Sequence, residues 1–317
     1  RRLALWRRDR LRQRLPIGFE AIAHARRAGD LHLELTAMLV TMIDLLESGR
    51  IDEQLAMLDE FEQRAARLRS PLYDVYAQFL RSCRLVVTGE YTEAERIANE
   101  ALASGLASHG PNTETAHAGQ MFCMAWDRGQ LVDLVELVEV MAATYEAMPI
   151  WQVALAGALV AAGRDDEAQA VFDALVTAGG LALPDNSLFF TGACFLVEVA
   201  RALGDRAGAA VLRRTLEPYA GRVAITGLGG VGIGPVARYV GVAAHVDGDL
   251  EAAVRYLTQA VAESTAHGSR PFTARAHRDL AAVLTERGAP GDAEAATEHA
   301  ARAAALAAEL GLVFGRI

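Results

Sequence analysis

The amino-acid sequence predicts an all-α protein, an α-solenoid of helical hairpins that stack into a right-handed superhelix. Hydrophobic residues make up 52% of the 317 residues and charged residues 22%, which is enough for a packed core and argues against disorder. Only 6% of the residues are aromatic and alanine dominates many segments, so closely packed helices are favoured over β-sheets. An internal repeat marked by glycine decides the fold class.

Each recurring glycine follows an apolar-periodic stretch, and acidic residues often open the next one. Such a glycine supplies the backbone freedom that is needed to leave one helix and begin another. The spacings between consecutive glycines are 40, 40, 34, 41, 44 and 40 residues, a period typical of helical-hairpin solenoids. The glycines are Gly49, Gly89, Gly129, Gly163, Gly204, Gly248 and Gly288.

A small residue follows most of these glycines at a fixed distance. The residue five positions after the glycine is alanine in five of the seven units: Ala94, Ala168, Ala209, Ala253 and Ala293. In the other two units it is Gln54 or Leu134. An alanine there lets the second helix approach the first closely. Gly-x4-Ala between paired helices is typical of a tetratricopeptide-type unit, and most units here are lengthened beyond 34 residues. We expect about seven tetratricopeptide-like hairpins in a single domain over residues 1–317.

The helical periodicity sets the expected bounds of the hairpins. A partial hairpin is expected within residues 1–30, and prolines near the start of most later units are compatible with helix N-termini. The predicted hairpins are 31–69, 72–107, 113–147, 149–178, 187–219, 235–267 and 271–310.

The stretch RVAITGLGGVGIG at 222–234 matches the G-x-G-x-x-G fingerprint of dinucleotide-binding turns. That turn needs a buried parallel strand before it and alternating strands and helices around it, and only residues 223–226 could form such a strand. We therefore expect residues 220–234 to be a flexible Gly-rich loop between repeats. Asp247 and Asp249 then become turn and N-cap residues. Two alternatives stay open: an anion held by backbone N–H groups near Pro235, and a dinucleotide site at 227–234.

Charge and residue usage exclude several function classes. The net charge is −9, although residues 1–16 carry a local +6, and this acidic balance argues against nucleic acid as a direct partner. All 31 basic residues are arginine, so no lysine is available for a P-loop or a Schiff base. Cys83, Cys123 and Cys194 are scattered, as reduced thiols of a cytoplasmic protein would be, and no apolar run has membrane-spanning length.

The first helix of each hairpin is expected to line the concave face at 13, 10, 6 and 3 residues before the turn glycine. An apolar half beside an arginine-rich half would suit an extended peptide or a small anionic ligand. In the alternative, the aromatic residues are core and the arginines pair with Glu198, Asp279 or solvent. The candidate ligand-binding residues are Tyr76, Phe79, Trp126, Arg201, Arg238, His245, Arg275 and Arg278.

Several stretches resemble the helical C-terminal region of large bacterial LuxR-type ATP-dependent transcriptional regulators and of related ATPases fused to nucleotide cyclase domains. They are LRSPLYDVYAQFLRSCRLVVTGEYTEAE (68–95), MPIWQVALAGALVAAGRDDEAQAVFDAL (148–175), LEPYAGR (216–222), GPVARYVGVAAHVDGDLEAAVRYL (234–257) and GSRPFTARAHRDLAAVLTERG (268–288). The resemblance implies a sensor or interaction region that governs an ATPase switch. No catalytic residue is carried over by it.

These observations lead to an expected function. We expect a non-enzymatic protein-interaction and sensor region of a cytoplasmic signalling or transcription regulator, with no cofactor and no metal. Its expected partner is a protein or peptide, foremost other domains of the same full-length protein, with no direct nucleic-acid or membrane contact. The alternatives are a receptor for an anionic metabolite or sugar on the concave face, and the regulatory region of a nucleotide cyclase.

Overall fold

A computed structural model describes residues 7–68, 70–106, 111–227 and 230–317, and these residues form α-helices with two short β-hairpins. The helices are α1 Leu11–Ala28, α2 Leu31–Glu47, α3 Ile51–Leu68, α4 Pro71–Thr88, α5 Tyr91–Leu106, α6 Pro111–Asp127, α7 Val135–Thr144, α8 Ile150–Ala161, α9 Asp165–Leu175, α10 Phe189–Leu203, α11 Arg206–Leu216, α12 Val236–Asp247, α13 Leu250–Ala266, α14 Arg270–Arg287 and α15 Asp292–Leu310. The strands are β1 Val176–Thr177, β2 Gly180–Leu181, β3 Val223–Thr226 and β4 Val231–Pro235.

Consecutive helices pack on each other, except that α6 contacts the short 3-10 helix before α7 rather than α7 itself, and the predicted α-solenoid is confirmed. The seven hairpins α2–α3 to α14–α15 lie within a few residues of their predicted bounds, and α1 precedes them. All seven turn glycines have φ between +63° and +94°, the left-handed region in which a side chain is strained. The hand of the superhelix stays a prediction.

The small residue after the turn packs as the sequence indicates in four units. Ala94, Ala168, Ala209 and Ala253 have no exposed surface, because each lies between the two helices of its hairpin. The expectation for Ala293 is wrong, since this side chain is exposed. Three residues separate Gly288 from α15, whereas a single residue separates the turn glycine from the next helix in the other units, and a later alanine of α15, Ala296, is buried instead.

The two units without this alanine differ from each other. Gln54 is buried at the start of α3. In the other unit, the Gly129 turn leads into a 3-10 helix, Leu131–Leu134, and α7 follows with only ten residues. This short helix packs mainly on α8. The unit that has Leu134 in place of the alanine is therefore also the one in which the second helix begins as a 3-10 helix and continues as a short α-helix.

The Gly-rich segment forms a buried β-hairpin, and the expected flexible loop is wrong for its described residues. Strands β3 and β4 pair antiparallel, with Ile225 opposite Gly232. The hairpin packs mainly against first helices, namely α2, α4, α6, α10, α12 and α14, and also against α13, which places it on the inner face of the superhelix. Two clusters of buried apolar side chains meet at this hairpin. Val223 and Ile225 of β3 belong to the N-terminal core cluster, which is formed mainly by α1 to α4. Ile233 of β4 belongs to the large core cluster, which is formed mainly by the later helices.

This hairpin also differs from a dinucleotide-binding turn. In that turn a parallel strand leads directly into a helix, but here β3 is followed by an antiparallel return strand. Gly234 has φ +86°, and a Cβ on it would lie 2.6 Å from the Phe272 ring, so glycine is required for packing. Asp249 accepts a hydrogen bond from the Ala252 N–H, which confirms its predicted role as the N-cap of α13.

The C-terminal end of the chain returns to the early hairpins, so the superhelix closes on itself. The Val313 N–H donates to the Asp127 carbonyl at 2.9 Å, and Arg316 forms an ion pair with Asp165 at 2.8 Å. On α4, Arg84 donates to the carbonyl of His267 at 3.0 Å. Residues 311–317, which we call the C-terminal segment, therefore cover part of the inner face.

Closure adds a second requirement for glycine at some turns. A Cβ on Gly129 would lie 2.7 Å from Val313 Cγ1 and 2.9 Å from its Cβ, whereas a Cβ on Gly204 would meet nothing within 4 Å. Both glycines have φ +69°, so their backbone requirement is the same. The difference between the two positions isolates the contact with the C-terminal segment.

We predict that Gly129→Ala destabilises the protein more than Gly204→Ala does. Gly204→Ala should cost about 1 kcal/mol from the left-handed backbone alone. Gly129→Ala should cost about 1–3 kcal/mol more, because Val313 must shift. Urea unfolding followed by circular dichroism measures both. Equal losses would show that the C-terminal segment is not held against this turn.

Candidate functional site

Five charged side chains form a cluster where the inner faces of α10, α12 and α14 meet. Glu198 and Arg201 lie one turn apart on α10, Arg238 lies on α12, and Arg278 and Asp279 are adjacent on α14. The Arg238 guanidinium contacts Glu198 Oε1 at 2.5 Å and Asp279 Oδ2 at 2.6 Å. Arg201 contacts the same two carboxylates at 2.6 and 3.1 Å, and Arg278 contacts Asp279 at 2.6 Å.

A second ion pair extends this cluster to the early hairpins. Arg275 on α14 lies 3.0 Å from the carboxylate of Asp127 at the end of α6. Its guanidinium also stacks on the Trp126 ring, 4.0 Å from the ring centroid. The Tyr91 hydroxyl donates to the other oxygen of Asp127 at 2.8 Å. Together the two groups form what we call the inner charge network, which ties the last hairpin to the second and third.

The arginines of this network keep two of its carboxylates, those of Asp279 and Glu198, ionised. Burial by itself would raise the pKa of Asp279, but the charges of Arg238, Arg278 and Arg201 outweigh it and lower this pKa well below its usual value. The pKa of Glu198 is lowered in the same way, since Arg201 and Arg238 outweigh its burial. Ionised carboxylates on this face therefore partner the arginines that the sequence places there.

The cluster carries more positive than negative charge. Three arginines share the carboxylates of Glu198 and Asp279, which leaves a formal excess of +1, whereas Arg275 and Asp127 neutralise each other. Burial lowers the pKa of Arg278 to about 10, and its attraction to Asp279 only partly compensates. Arg278 still carries its positive charge at neutral pH, and its side chain is partly exposed. The excess positive charge of the cluster therefore faces solvent at Arg278.

The C-terminal segment covers this part of the inner face. The Phe314 ring lies 4.7 Å from the Arg278 guanidinium and 5.9 Å from that of Arg275. Leu312 and Ile317 are buried in the large core cluster. A peptide that used these arginines would first have to displace the C-terminal segment.

The structure brings together five of the eight residues expected to bind a ligand: Trp126, Arg201, Arg238, Arg275 and Arg278. Their carboxylate partners Glu198, Asp279 and Asp127 belong to the chain itself, as in the alternative in which the arginines pair internally. Sequence reasoning missed Asp127, because nothing in its local pattern indicates that α14 returns to α6.

The other three expected residues lie elsewhere. Phe79 is buried in a small cluster with Val75 and Ala101, so it is a core residue. Tyr76 is half-buried beside the N-terminal core cluster, and burial raises its pKa. His245 lies 2.7 Å from the carboxylate of Glu286, near the turn end of α12.

A different surface stands out in the second half of the third hairpin, on the 3-10 helix and on α7. Val132, Leu137 and Val140 are 48%, 55% and 61% exposed, although they are large apolar side chains close together in sequence. Opposite them, Val138 and Ala142 pack in a cluster with Trp151 of α8. We call the exposed set, Val132, Leu137 and Val140, the α7 surface.

The charged residues next to the α7 surface in sequence are acidic. Asp133 and Glu136 are exposed beside it, and Glu139 pairs with Arg164 at 2.8 Å. No arginine, lysine or histidine occurs between Gln130 and Gly163. The sequence of this short helix is apolar on nearly every side. Such a pattern indicates that both faces of the helix are buried, one by the chain itself and the other by a partner.

The described residues contain no group of three His, Cys, Asp or Glu side chains that could hold a metal ion. Burial raises the pKa of the Cys83 thiol to about 11 and those of Cys123 and Cys194 well above their ordinary value, so all three thiols stay protonated at neutral pH. Within the same described ranges, no helix combines the length and apolar character that crossing a membrane requires.

Neither known protein families nor curated proteins yield a match to this chain. The resemblance to the helical regions of LuxR-type regulators therefore stays an expectation from the sequence.

We predict that Asp279→Asn costs about 3–5 kcal/mol of unfolding free energy at pH 7, because it leaves Arg238 and Arg278 short of a buried counter-charge. Glu298→Gln is the control, since Glu298 and Arg302 form an exposed pair on α15 that contributes about 0–0.5 kcal/mol. Urea unfolding of the three proteins measures both costs.

The same proteins test the pH dependence. Because the folded-state pKa values of Asp279 and Glu198 are lowered, their stabilisation is present above the unfolded values of about 4 and is lost as the pH falls below them. Stability should therefore fall from about pH 4 downwards, and fall less steeply in Asp279→Asn than in Glu298→Gln. Parallel profiles would contradict the assigned role of Asp279.

Proposed function

We propose that this chain is a protein-interaction and sensor region of a cytoplasmic signalling or transcription regulator, without catalytic activity of its own. In this proposal, partner binding to the solenoid biases an ATPase switch outside the chain. The resemblance in sequence motivates the regulator, and the α7 surface is the observation that carries the interaction.

The α7 surface supports this proposal because exposed apolar side chains are costly in water unless a partner covers them. Three of them lie on one short helical segment, whereas exposed large apolar residues such as Phe19 and Leu33 lie on other helices. Beside the α7 surface, Asp133 and Glu136 are exposed, and only Glu139 is paired with an arginine, Arg164. The complementary partner is therefore an amphipathic helix with apolar residues at positions i, i+3, i+4 and i+7, flanked by Arg or Lys.

The inner face is occupied by segments of the chain itself, and this favours partner binding on the outside of the superhelix. Solenoids commonly bind partners on the concave face, but here the β3–β4 hairpin and the C-terminal segment lie there. A partner that binds the α7 surface would not have to displace the hairpin or the C-terminal segment. A partner that binds the closed superhelix more tightly than an opened one would stabilise closure, and this differential affinity is what a switch requires.

A second candidate function rests on the excess positive charge of the inner charge network. Arg201 and Arg278 keep 21% and 23% of their side chains exposed, so a small anion could contact them at the edge of the network. This favours the anionic-metabolite receptor among the alternatives. We place this second function below the protein-interaction role, because the guanidinium groups of Arg201 and Arg278 already contact carboxylates.

We predict that a designed helical peptide with leucines at i, i+3, i+4 and i+7 and flanking arginines binds the chain, and that Leu137→Gln with Val140→Gln abolishes this binding. The physical reason is loss of the apolar contact without a change of charge. Fluorescence anisotropy of the labelled peptide measures the affinity.

Two controls make this test specific. A scrambled peptide of the same composition keeps the charge but has no apolar face, and it should bind at least about tenfold more weakly. Leu33→Gln removes a side chain that is 51% exposed on α2, and it should leave peptide binding unchanged. Equal binding of both peptides, or binding that survives the double substitution, would overturn the proposed interaction.

A further inference from the structure

A small cavity lies where the superhelix closes, between α4, the β3–β4 hairpin and the turn that joins α13 to α14. Its polar lining includes Arg84 of α4 and His267 of that turn, and the rest of the wall is mostly apolar. The apolar wall residues include Leu46, Ile51, Leu80, Val87, Val223 and Ile225. The volume of the cavity is about 30 Å³. A water molecule takes up about 30 Å³ in the liquid, so the cavity accepts only a group of a few atoms.

Arg84 carries a charge that no nearby carboxylate balances. Its side chain is only partly exposed. Among the residues that the structure describes, every other arginine whose side chain is buried or partly buried lies within 3.9 Å of a carboxylate. Asp52 and Glu90 attract Arg84 only from a greater distance. Since an unpaired charge away from water is unfavourable, this exception points to an anion that accompanies Arg84.

The charged end of Arg84 borders the cavity. Its Nη1 donates to the carbonyl oxygen of His267 at 3.0 Å, and its Nη2 lies 3.1 Å from the position that a Cβ on Gly268 would take. His267 and Ser269, on the two sides of Gly268, both line the cavity. Nε and Nη2 have no acceptor among the described residues, and both atoms remain accessible. A carboxylate can therefore bind this edge of the guanidinium through two parallel hydrogen bonds.

The other polar groups of the wall leave the positive charge in place. Burial raises the pKa of the Cys83 thiol to about 11, so this thiol is neutral at pH 7. Burial and the charge of Arg84 lower the pKa of His267, so its imidazole is neutral as well. A single positive charge balances a monoanion, whereas a dianion such as sulfate would keep an unpaired charge beside apolar walls.

We propose that this cavity binds a small monocarboxylate, whose oxygens accept hydrogen bonds from Arg84 Nε and Nη2 and whose short alkyl group lies against the apolar walls. The site is separate from the inner charge network, in which each arginine already contacts a carboxylate of the chain. It is also separate from the α7 surface, so ligand binding does not depend on the proposed function.

The position of the site connects the ligand with closure. Arg84 belongs to the second hairpin, and His267 lies between the sixth and the seventh. In the structure, a hydrogen bond from the side chain of Arg84 to the backbone of His267 joins them. A carboxylate held between α4 and this turn would add to that contact and favour the closed superhelix. A role of this ligand in switching rests on the proposed function, whereas its binding does not.

The test is a titration with sodium acetate, which replaces sodium chloride at constant ionic strength. The readout is the Nε–H resonance of Arg84 in the 15N-labelled chain, and acetate should shift it saturably because a carboxylate replaces water at Nε. Acetamide has nearly the same shape without the charge, and it should cause no saturable shift. Acetate should also raise the midpoint of urea unfolding, because it binds only the folded chain.

Two variants and a matched control separate the charge from the cavity. Arg84→Gln removes the charge and should weaken acetate binding at least about tenfold. Arg67→Gln removes an exposed arginine of α3 and should leave binding unchanged. Val87→Leu keeps Arg84 but adds a carbon atom to the wall, and it should weaken binding to a similar extent as Arg84→Gln. The rise of the urea midpoint with acetate measures binding in all variants, and circular dichroism verifies their fold.

The outcomes decide the proposal. An Arg84 resonance that does not shift saturably overturns it, as does an equal rise of the urea midpoint in the unsubstituted chain and in Arg84→Gln. Unchanged acetate binding in Val87→Leu would place the anion on the surface and would overturn the cavity as its site. The peptide titration of the α7 surface is made without acetate, so failure of one proposal is distinguishable from failure of the other.

A carboxylate can also come from the end of a peptide chain. N-acetylglycine represents that source, because its carboxylate is attached to a peptide group. We expect it to bind at least about tenfold more weakly than acetate, since a cavity of this size has no room for the peptide group. Equal binding of N-acetylglycine would overturn the assignment to a free small acid.

Discussion

Closure of the superhelix is the constraint on which the rest of the structure depends. The C-terminal segment and the β3–β4 hairpin lie against the inner faces of the first helices, so little water reaches the side chains there. A buried charge without a partner would be strongly unfavourable. Each arginine of the inner charge network accordingly contacts a carboxylate of the same chain, and the pair of Arg275 with Asp127 joins helices 148 residues apart.

Closure also decides which surfaces are available for function. An open solenoid presents its concave face to partners, but this chain uses that face for contacts with itself. The α7 surface stays outside, and its helix is short and packs mainly on α8. On the buried side of that helix, Val138 and Ala142 pack with Trp151 of α8.

Local patterns were sufficient for much of the fold. A turn glycine such as Gly204 is recognisable because leaving a helix in the left-handed conformation is a requirement of a few residues. Ala168 is recognisable because close approach of two adjacent helices needs a small side chain. The expectation for Ala293 is wrong because two additional residues after Gly288 delay the start of α15, and helical periodicity alone does not show where after a lengthened turn a helix begins.

The Gly-rich segment shows where local patterns end. Its alternating Val, Ile and Gly residues are compatible with strands, but short strands are stable only when other elements cover them. Helices from six different hairpins supply that cover. Their positions depend on the curvature of the whole superhelix, so the segment reads as a loop in the sequence and is a buried hairpin in the structure.

By itself, the sequence determined the helical hairpins, their turns and the side of each first helix on which Trp126, Arg238 and Arg275 lie, because helical periodicity depends only on neighbouring residues. Only the tertiary structure decided what those side chains contact. Asp127 and Phe314 reach the arginines through closure between the ends of the solenoid. Such pairing results from the sum of small rotations between successive hairpins, and no single stretch of sequence encodes it.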